Sequence, residues 1–152
     1  MKENINAIEL ITMIGINPGL GILNWKVVGP TVIKTKDVDL VRKINKFIDW
    51  EFIIKKGLLT RDELDIFAEF IPNNAFRFLI DFPWFDDREF EKFEDKLLAT
   101  TENRRLIVVL AQGDKLPNWF IRKNWVMIGG ELKKFINGNE IFEKVKNKIF
   151  PE

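Results

Sequence analysis

Few kinds of side chain in this chain are able to do covalent or acid–base chemistry. Its 152 residues include no Cys, no His and no Tyr, and no Ser occurs either. That excludes disulfides, Cys/His zinc sites, Ser–His–Asp and Cys–His triads, and tyrosine nucleophiles. Carboxylates, lysines and threonines remain. One set has the spacing of a metal-dependent phosphodiesterase: Asp114, followed by Glu131-x-Lys133. Two carboxylates there would hold Mg²⁺, and the lysine would orient the attacking water. Glu94-x-Lys96 repeats the pattern on an amphipathic helix, where it reads as surface charge. Asp81 with Asp86 or Asp87 is a second candidate for Mg²⁺ through oxygen ligands, although Asp86 is also placed to cap a helix. Gly15, Gly19 and Gly21 fit neither a Walker A loop nor a dinucleotide fingerprint and read as a turn.

Charge and aromatic content single out a binding surface instead. The formal net charge is only +1, but residues 77–103 sum to −4 and residues 104–137 to +5. Within 104–134, Arg104, Arg105, Lys115, Arg122 and Lys123 accompany Trp119 and Trp125. Aromatic faces stack on bases and cations neutralise phosphates, so the stretch suits single-stranded nucleic acid. An acidic protein surface is the alternative partner, including residues 77–103 of a second copy, which would make a homo-oligomer. The plainer reading has the Trp and Phe residues plugging the core while the cations stay solvated.

The elements that must position these residues read as one mixed domain over 1–152. Ile8–Ile16 is an apolar strand or buried helix, and 25–35 reads as strand, bend, strand around Gly29-Pro30. Asp37 is a plausible N-cap for a helix that runs to Lys55-Lys56 and stops at Gly57. Thr60 with Glu63 forms a capping box, with Leu59 and Leu64 as the staple across it, and Pro72 closes that helix. Ala75–Phe82 reads as a strand. Asp86 with Glu89 opens a helix striped by Phe90, Phe93, Leu97 and Leu98. Arg105–Ala111 is a continuous apolar strand, as expected when both sheet faces are covered. Trp125–Ile128 is a shorter strand, and Ile141, Phe142, Val145 and Ile149 stripe a final helix. Asn137-Gly138 fits either a hairpin turn or a break between helices. No internal repeat or linker stands out. The expected fold is α/β or α+β, with a small sheet that is mostly parallel in the C-terminal half. Asp81 and Gln112, the only glutamine, would then sit at the ligand-binding edge of that sheet.

Residues 75–124 carry a resemblance. Phe76-Arg77-Phe78-Leu79-Ile80-Asp81, an acidic helix, Arg104-Arg105 and Leu106-Ile107-Val108-Val109-Leu110-Ala111-Gln112 come in order, followed by Asp114-Lys115-Leu116-Pro117 and Ile121-Arg122-Lys123-Asn124. The series resembles the back half of P-loop ATPases of the FtsK/HerA kind. The resemblance implies that Asp81 takes the Walker B place and Gln112 the place facing the attacking water or γ-phosphate. No Walker A sequence precedes them, and Phe82 stands where an acid follows the Walker B aspartate. What is implied is therefore a non-hydrolysing relative.

The leading expectation is a non-catalytic binding module without cofactor, contacting nucleic acid or an acidic protein through 104–134. A Mg²⁺-dependent nuclease built on Asp114, Glu131 and Lys133 is the alternative, and the degenerate ATPase relative is the third. Absence of cysteine, of an apolar leader and of any run of about 20 apolar residues points to the cytoplasm and away from membranes.

Overall fold

The computed structural model describes residues 25–151. Among them the regular elements are all helices, α or 3₁₀, and no strand occurs. The expected α/β sheet is therefore corrected to an all-helical fold. The chain divides into two compact units with the boundary between Trp84 and Phe85.

The first unit is built from α1 (Trp25–Lys34), α2 (Val38–Ile44), a 3₁₀ turn (Asn45–Phe47), α3 (Trp50–Lys55), α4 (Arg61–Phe67), a second 3₁₀ turn (Ala68–Phe70) and a longer 3₁₀ helix (Asn73–Asp81). In α1 the buried residues are Val28, Gly29, Val32 and Ile33, a helical spacing that strand alternation does not explain. Pro30 lies inside α1. It withholds an N–H only from the exposed first turn, where Lys26 and Val27 face solvent, so the helix survives it. Ala75, Phe76, Leu79 and Ile80 are buried at i, i+1, i+4 and i+5, so the expected strand at 75–82 is helical too. α3 packs against α1 on one side and the 73–81 helix on the other.

An internal repeat accompanies this packing. Asp37 and Thr60 cap seven-residue helices by accepting hydrogen bonds from the N–H groups of Leu40 and Glu63. Each helix turns at one residue, Ile44 (φ −107°, ψ 6°) or Phe67 (φ −110°, ψ 7°), into a three-residue 3₁₀ turn. Each turn ends in an extended isoleucine, Ile48 (φ −80°, ψ 126°) or Ile71 (φ −78°, ψ 125°). Val41, Ile44 and Ile48 of the first copy are buried, as are Leu64, Phe67 and Ile71 of the second. A helix then follows each copy, α3 or the 73–81 segment. The expected single helix from Asp37 to Gly57 is thus broken by this turn and restarted by Asp49, whose side chain accepts from Phe52 N–H at 3.1 Å. The stop at Gly57 is present, with φ at 71°.

The second unit holds α5 (Asp87–Lys92), α6 (Glu94–Leu97), α7 (Thr101–Leu110), α8 (Asn118–Lys123), α9 (Trp125–Leu132) and α10 (Gly138–Ile149). Asp86 and Glu89 form the expected capping box. Phe90 and Phe120 lie with ring centroids 5.2 Å apart in the core of the unit. The expected strand at 105–111 lies in α7 and the turn that follows it. Thr100 caps α7, and burial falls on Asn103, Ile107, Val108 and Ala111, while Val109 is exposed. Asn103 is buried and donates to the carbonyl of Lys96 at 3.0 Å, tying α7 to the end of α6. The expected strand at 125–128 opens α9, with Ile128, Gly129 and Leu132 buried. Asn137-Gly138 is a break between helices: a Cβ at Gly138 would stand 2.1 Å from the carbonyl oxygen of Lys133. The expected readings of Ile8–Ile16 and of Gly15, Gly19 and Gly21 lie outside the described residues.

Three checks follow from the local geometry. Gly138→Ala forces the end of α9 away from α10 and is expected to destabilise the fold by about 1–3 kcal/mol. Gly130→Ala, on exposed α9 surface with open space around the new methyl, is expected to be stabilising by up to about 1 kcal/mol. Denaturant unfolding of both variants tests this, and equal effects would contradict it. Thr60→Ala, which removes the cap of α4, is expected to cost about 1 kcal/mol in the same assay.

Candidate functional site

α7 and α9 pack against each other in the second unit, and a groove of about 590 Å³ is lined by both and by the turn after α9. α7 contributes Thr101, Arg104, Arg105, Val108 and Val109 to it, and Glu131, Lys134 and Phe135 complete the lining. The helical period puts Arg104 and Arg105 one turn before Val108 and Val109, so cations and apolar surface share one face. Val109 is 52% exposed and Phe135 38%.

The charges in the groove are unevenly compensated. Glu131 and Lys134 pair at 2.9 Å. Arg104 donates to the carbonyl of Leu98 at 2.8 Å and to Thr101 Oγ1 at 3.4 Å, neither of which carries charge. Arg105 is exposed, and its side chain has no hydrogen bond or ion pair with the described residues. Two arginines, consecutive on α7, therefore line the groove without a carboxylate partner among the described residues.

Arg122, Lys123, Trp119 and Trp125, also expected to bind, do structural work. Arg122 donates to the carbonyl of Ile149 at 3.1 Å, satisfying the end of α10. Trp125 lies 5.0 Å from the ring of Phe142 and 5.9 Å from that of Phe150. Trp119 is half-buried, edge-on to Phe120. Lys115 is exposed in the turn before α8. Lys123 pairs with Glu94 at 2.7 Å, and Asn124 Nδ2 donates to the same carboxylate at 3.1 Å. Burial works against ionised Glu94, but the hydrogen bonds from Lys123 and Asn124 and the charge of Lys123 outweigh it. The Glu94 carboxyl is held below its ordinary value. The hydrogen bond to Glu94, with its charge, pushes the Lys123 ammonium up.

The acids of the two metal readings have separate attachments. Asp114 lies 3.8 Å from Lys148, Glu131 is paired with Lys134, and Lys133 Nζ sits 4.2 Å from the centroid of the Phe142 ring. None of these contacts joins one member of the set to another. Asp86 caps α5 in the second unit. Asp81 ends the 73–81 helix in the first unit, beside Lys55 and Phe78 in a pocket of about 310 Å³. Gln112 follows α7 in an exposed turn. The sheet edge expected to gather Asp81 and Gln112 is replaced by helix ends in different units. Among the described residues no group of three or more acids that could hold a metal ion comes together, and no helix is long and apolar enough to cross a membrane.

Of the residues lining the groove, the sequence reading names Arg104, Arg105 and, in the nuclease set, Glu131 as site residues, and leaves out Thr101, Val108, Val109, Lys134 and Phe135. The available signal was the i, i+4 spacing of Arg104 with Val108 and of Arg105 with Val109, hidden by reading 105–111 as a strand. No family model matches the chain, and no curated protein or solved structure is significantly similar to it.

The Glu94–Lys123 pair makes a pH prediction. Glu94 is lowered, so its contribution is present above its unfolded value and is lost as pH falls through its folded value. Lys123 is raised, so its contribution is present below its unfolded value and is lost as pH rises through its folded value. The stability gap between the native chain and Glu94→Gln should be flat near neutrality. It should shrink below the ordinary glutamate range and again above the ordinary lysine range. A gap that persists unchanged into acid, measured by denaturant unfolding across pH, would count against the pair.

Proposed function

We propose that the chain is a non-catalytic binding module that holds an anionic macromolecular partner through the cationic surface of residues 104–134. The observation that carries this reading is that Arg104 and Arg105, consecutive on α7, line the groove with no carboxylate partner among the described residues, while neighbouring charges pair off as Glu131–Lys134 and Glu94–Lys123. A guanidinium is weakly hydrated and presents a fork of donors matched to carboxylate and phosphate oxygens. Two such groups at an open groove attract an anionic partner and fix its orientation. Turnover has less support. The groove offers one carboxylate, Glu131, already held by Lys134, and no thiol, imidazole or serine hydroxyl exists to act as nucleophile or base. A chain without cysteine also has no need of an oxidising compartment, and we place it in the cytoplasm.

Fluorescence anisotropy with a labelled polyglutamate peptide and with labelled oligo-dT tests the reading. At least one polyanion should bind at low salt, weaken steadily as salt rises, and lose tenfold or more in affinity to Arg105→Glu. That side chain is exposed, so the variant should keep the helical circular dichroism of the parent. Absence of binding by both probes at low salt, or binding indifferent to Arg105→Glu, would refute the proposal.

A further inference from the structure

We infer that the α7–α9 groove seats an acidic amphipathic segment of a partner protein. An apolar side chain would rest on Val108, Val109 and Phe135, and flanking carboxylates would meet Arg104 and Arg105. The inference rests on the anionic-partner reading and narrows it to one class of partner and one seat. Three observations lead to it.

The first is composition. The groove joins partly exposed apolar surface, Val109 and Phe135, to uncompensated guanidiniums on the same face of α7. A polyanion without apolar groups would use only half of that lining. An amphipathic helix laid into a groove uses both halves, through anchors at i, i+3, i+4 and i+7. The volume of about 590 Å³ lies within the range of roughly 300–1,000 Å³ typical of binding clefts.

The second is the placement of the aromatics. Single-stranded nucleic acid is held by stacking bases on open aromatic faces. Trp125 is packed against Phe142 and Phe150, Trp119 lies edge-on to Phe120, and neither lines the groove. The floor offers aliphatic Val108 and Val109, and the groove's lining holds a single aromatic ring, Phe135, where a run of bases needs several.

The third is the Glu131–Lys134 pair in the wall, at 2.9 Å. It presents carboxylate acceptors and ammonium donors together. A phosphodiester backbone only accepts hydrogen bonds, whereas a peptide supplies both N–H and C=O groups and spaces its acids to meet the arginines. The mixed polarity of the groove thus favours an acidic peptide over a nucleic acid.

The test uses the full chain with three labelled probes at about 150 mM salt: a 16-residue peptide with Leu at i, i+3, i+4 and i+7 and Glu on the flanks, a polyglutamate peptide of equal charge, and oligo-dT. The Leu/Glu peptide should bind at least tenfold tighter than the other two. Val109→Gln should weaken the Leu/Glu peptide at least fivefold and leave polyglutamate unchanged, whereas Arg105→Glu should weaken both. Phe135→Gln repeats the apolar test from the other wall. Equal binding of the two peptides, or indifference of the Leu/Glu peptide to both apolar substitutions, overturns the groove seat while leaving an anionic partner in place. Tightest binding of oligo-dT overturns it in favour of nucleic acid. Failure of every probe at low salt as well removes the anionic-partner reading with it.

Discussion

Most of the described helices are too short to stand alone. Those from α2 to α6 run four to seven residues, well below the twelve to fifteen or so that an isolated helix needs in water. Each must therefore have its ends closed locally and its inner face buried by neighbours. The ends are closed by Asp37, Asp49, Thr60, Asp86 and Thr100, and inner faces are filled by Phe67, Phe76, Phe90 and Phe120, all fully buried. Among the described residues, the fully buried carboxylates are parts of this end-closing apparatus. Glu63 is buried while completing the Thr60 box and taking the ammonium of Lys34 at 2.9 Å, and Glu89 is buried while completing the Asp86 box beside Arg88. The fold thus spends its acids and much of its aromatic surface on holding short pieces together.

That use of side chains separates structure from function. Arg122, Lys123, Trp119 and Trp125 look like a basic, aromatic binding strip in the sequence, yet their contacts close α10, clamp α6 and fill the space around Phe142 and Phe120. Arg104 and Arg105 differ because no opposite charge meets them among the described residues. Arg104 also closes the end of α6 through the Leu98 carbonyl, but Arg105, next to exposed valine and phenylalanine, makes no side-chain contact with the described residues that would hold the unit together. It fits a surface kept for a partner.

What could be read from the sequence was local. The boxes at Thr60/Glu63 and Asp86/Glu89, the cap at Asp37 and the left-handed stop at Gly57 depend on residues within one turn of each other, and all are present. The sheet was misread because 75–82, 105–111 and 125–128 are apolar runs rich in Ile, Val, Leu and Phe. Such a run shows no period until it is known which residues are buried. In 105–111 the decisive fact is that Val109 faces out while Ile107 and Val108 face in, which only packing reveals. The repeat of Asp37–Ile48 in Thr60–Ile71 escaped for a related reason. Its copies agree in side-chain class, Val41 with Leu64 and Ile44 with Phe67, and in backbone angle at Ile44 and Phe67, more than in residue identity. The groove was half visible: its cations lie adjacent in sequence, but Lys134 and Phe135 come from beyond α9 and join them only through tertiary packing.

The most direct measurement is backbone amide chemical-shift mapping of the isotope-labelled protein during titration with an acidic, leucine-bearing peptide. Saturable shifts concentrated at residues 101–109 and 131–135, with the first unit unperturbed, are the predicted result. Shifts centred instead on 115–125, or scattered over the surface without saturation, would contradict a partner seated between α7 and α9.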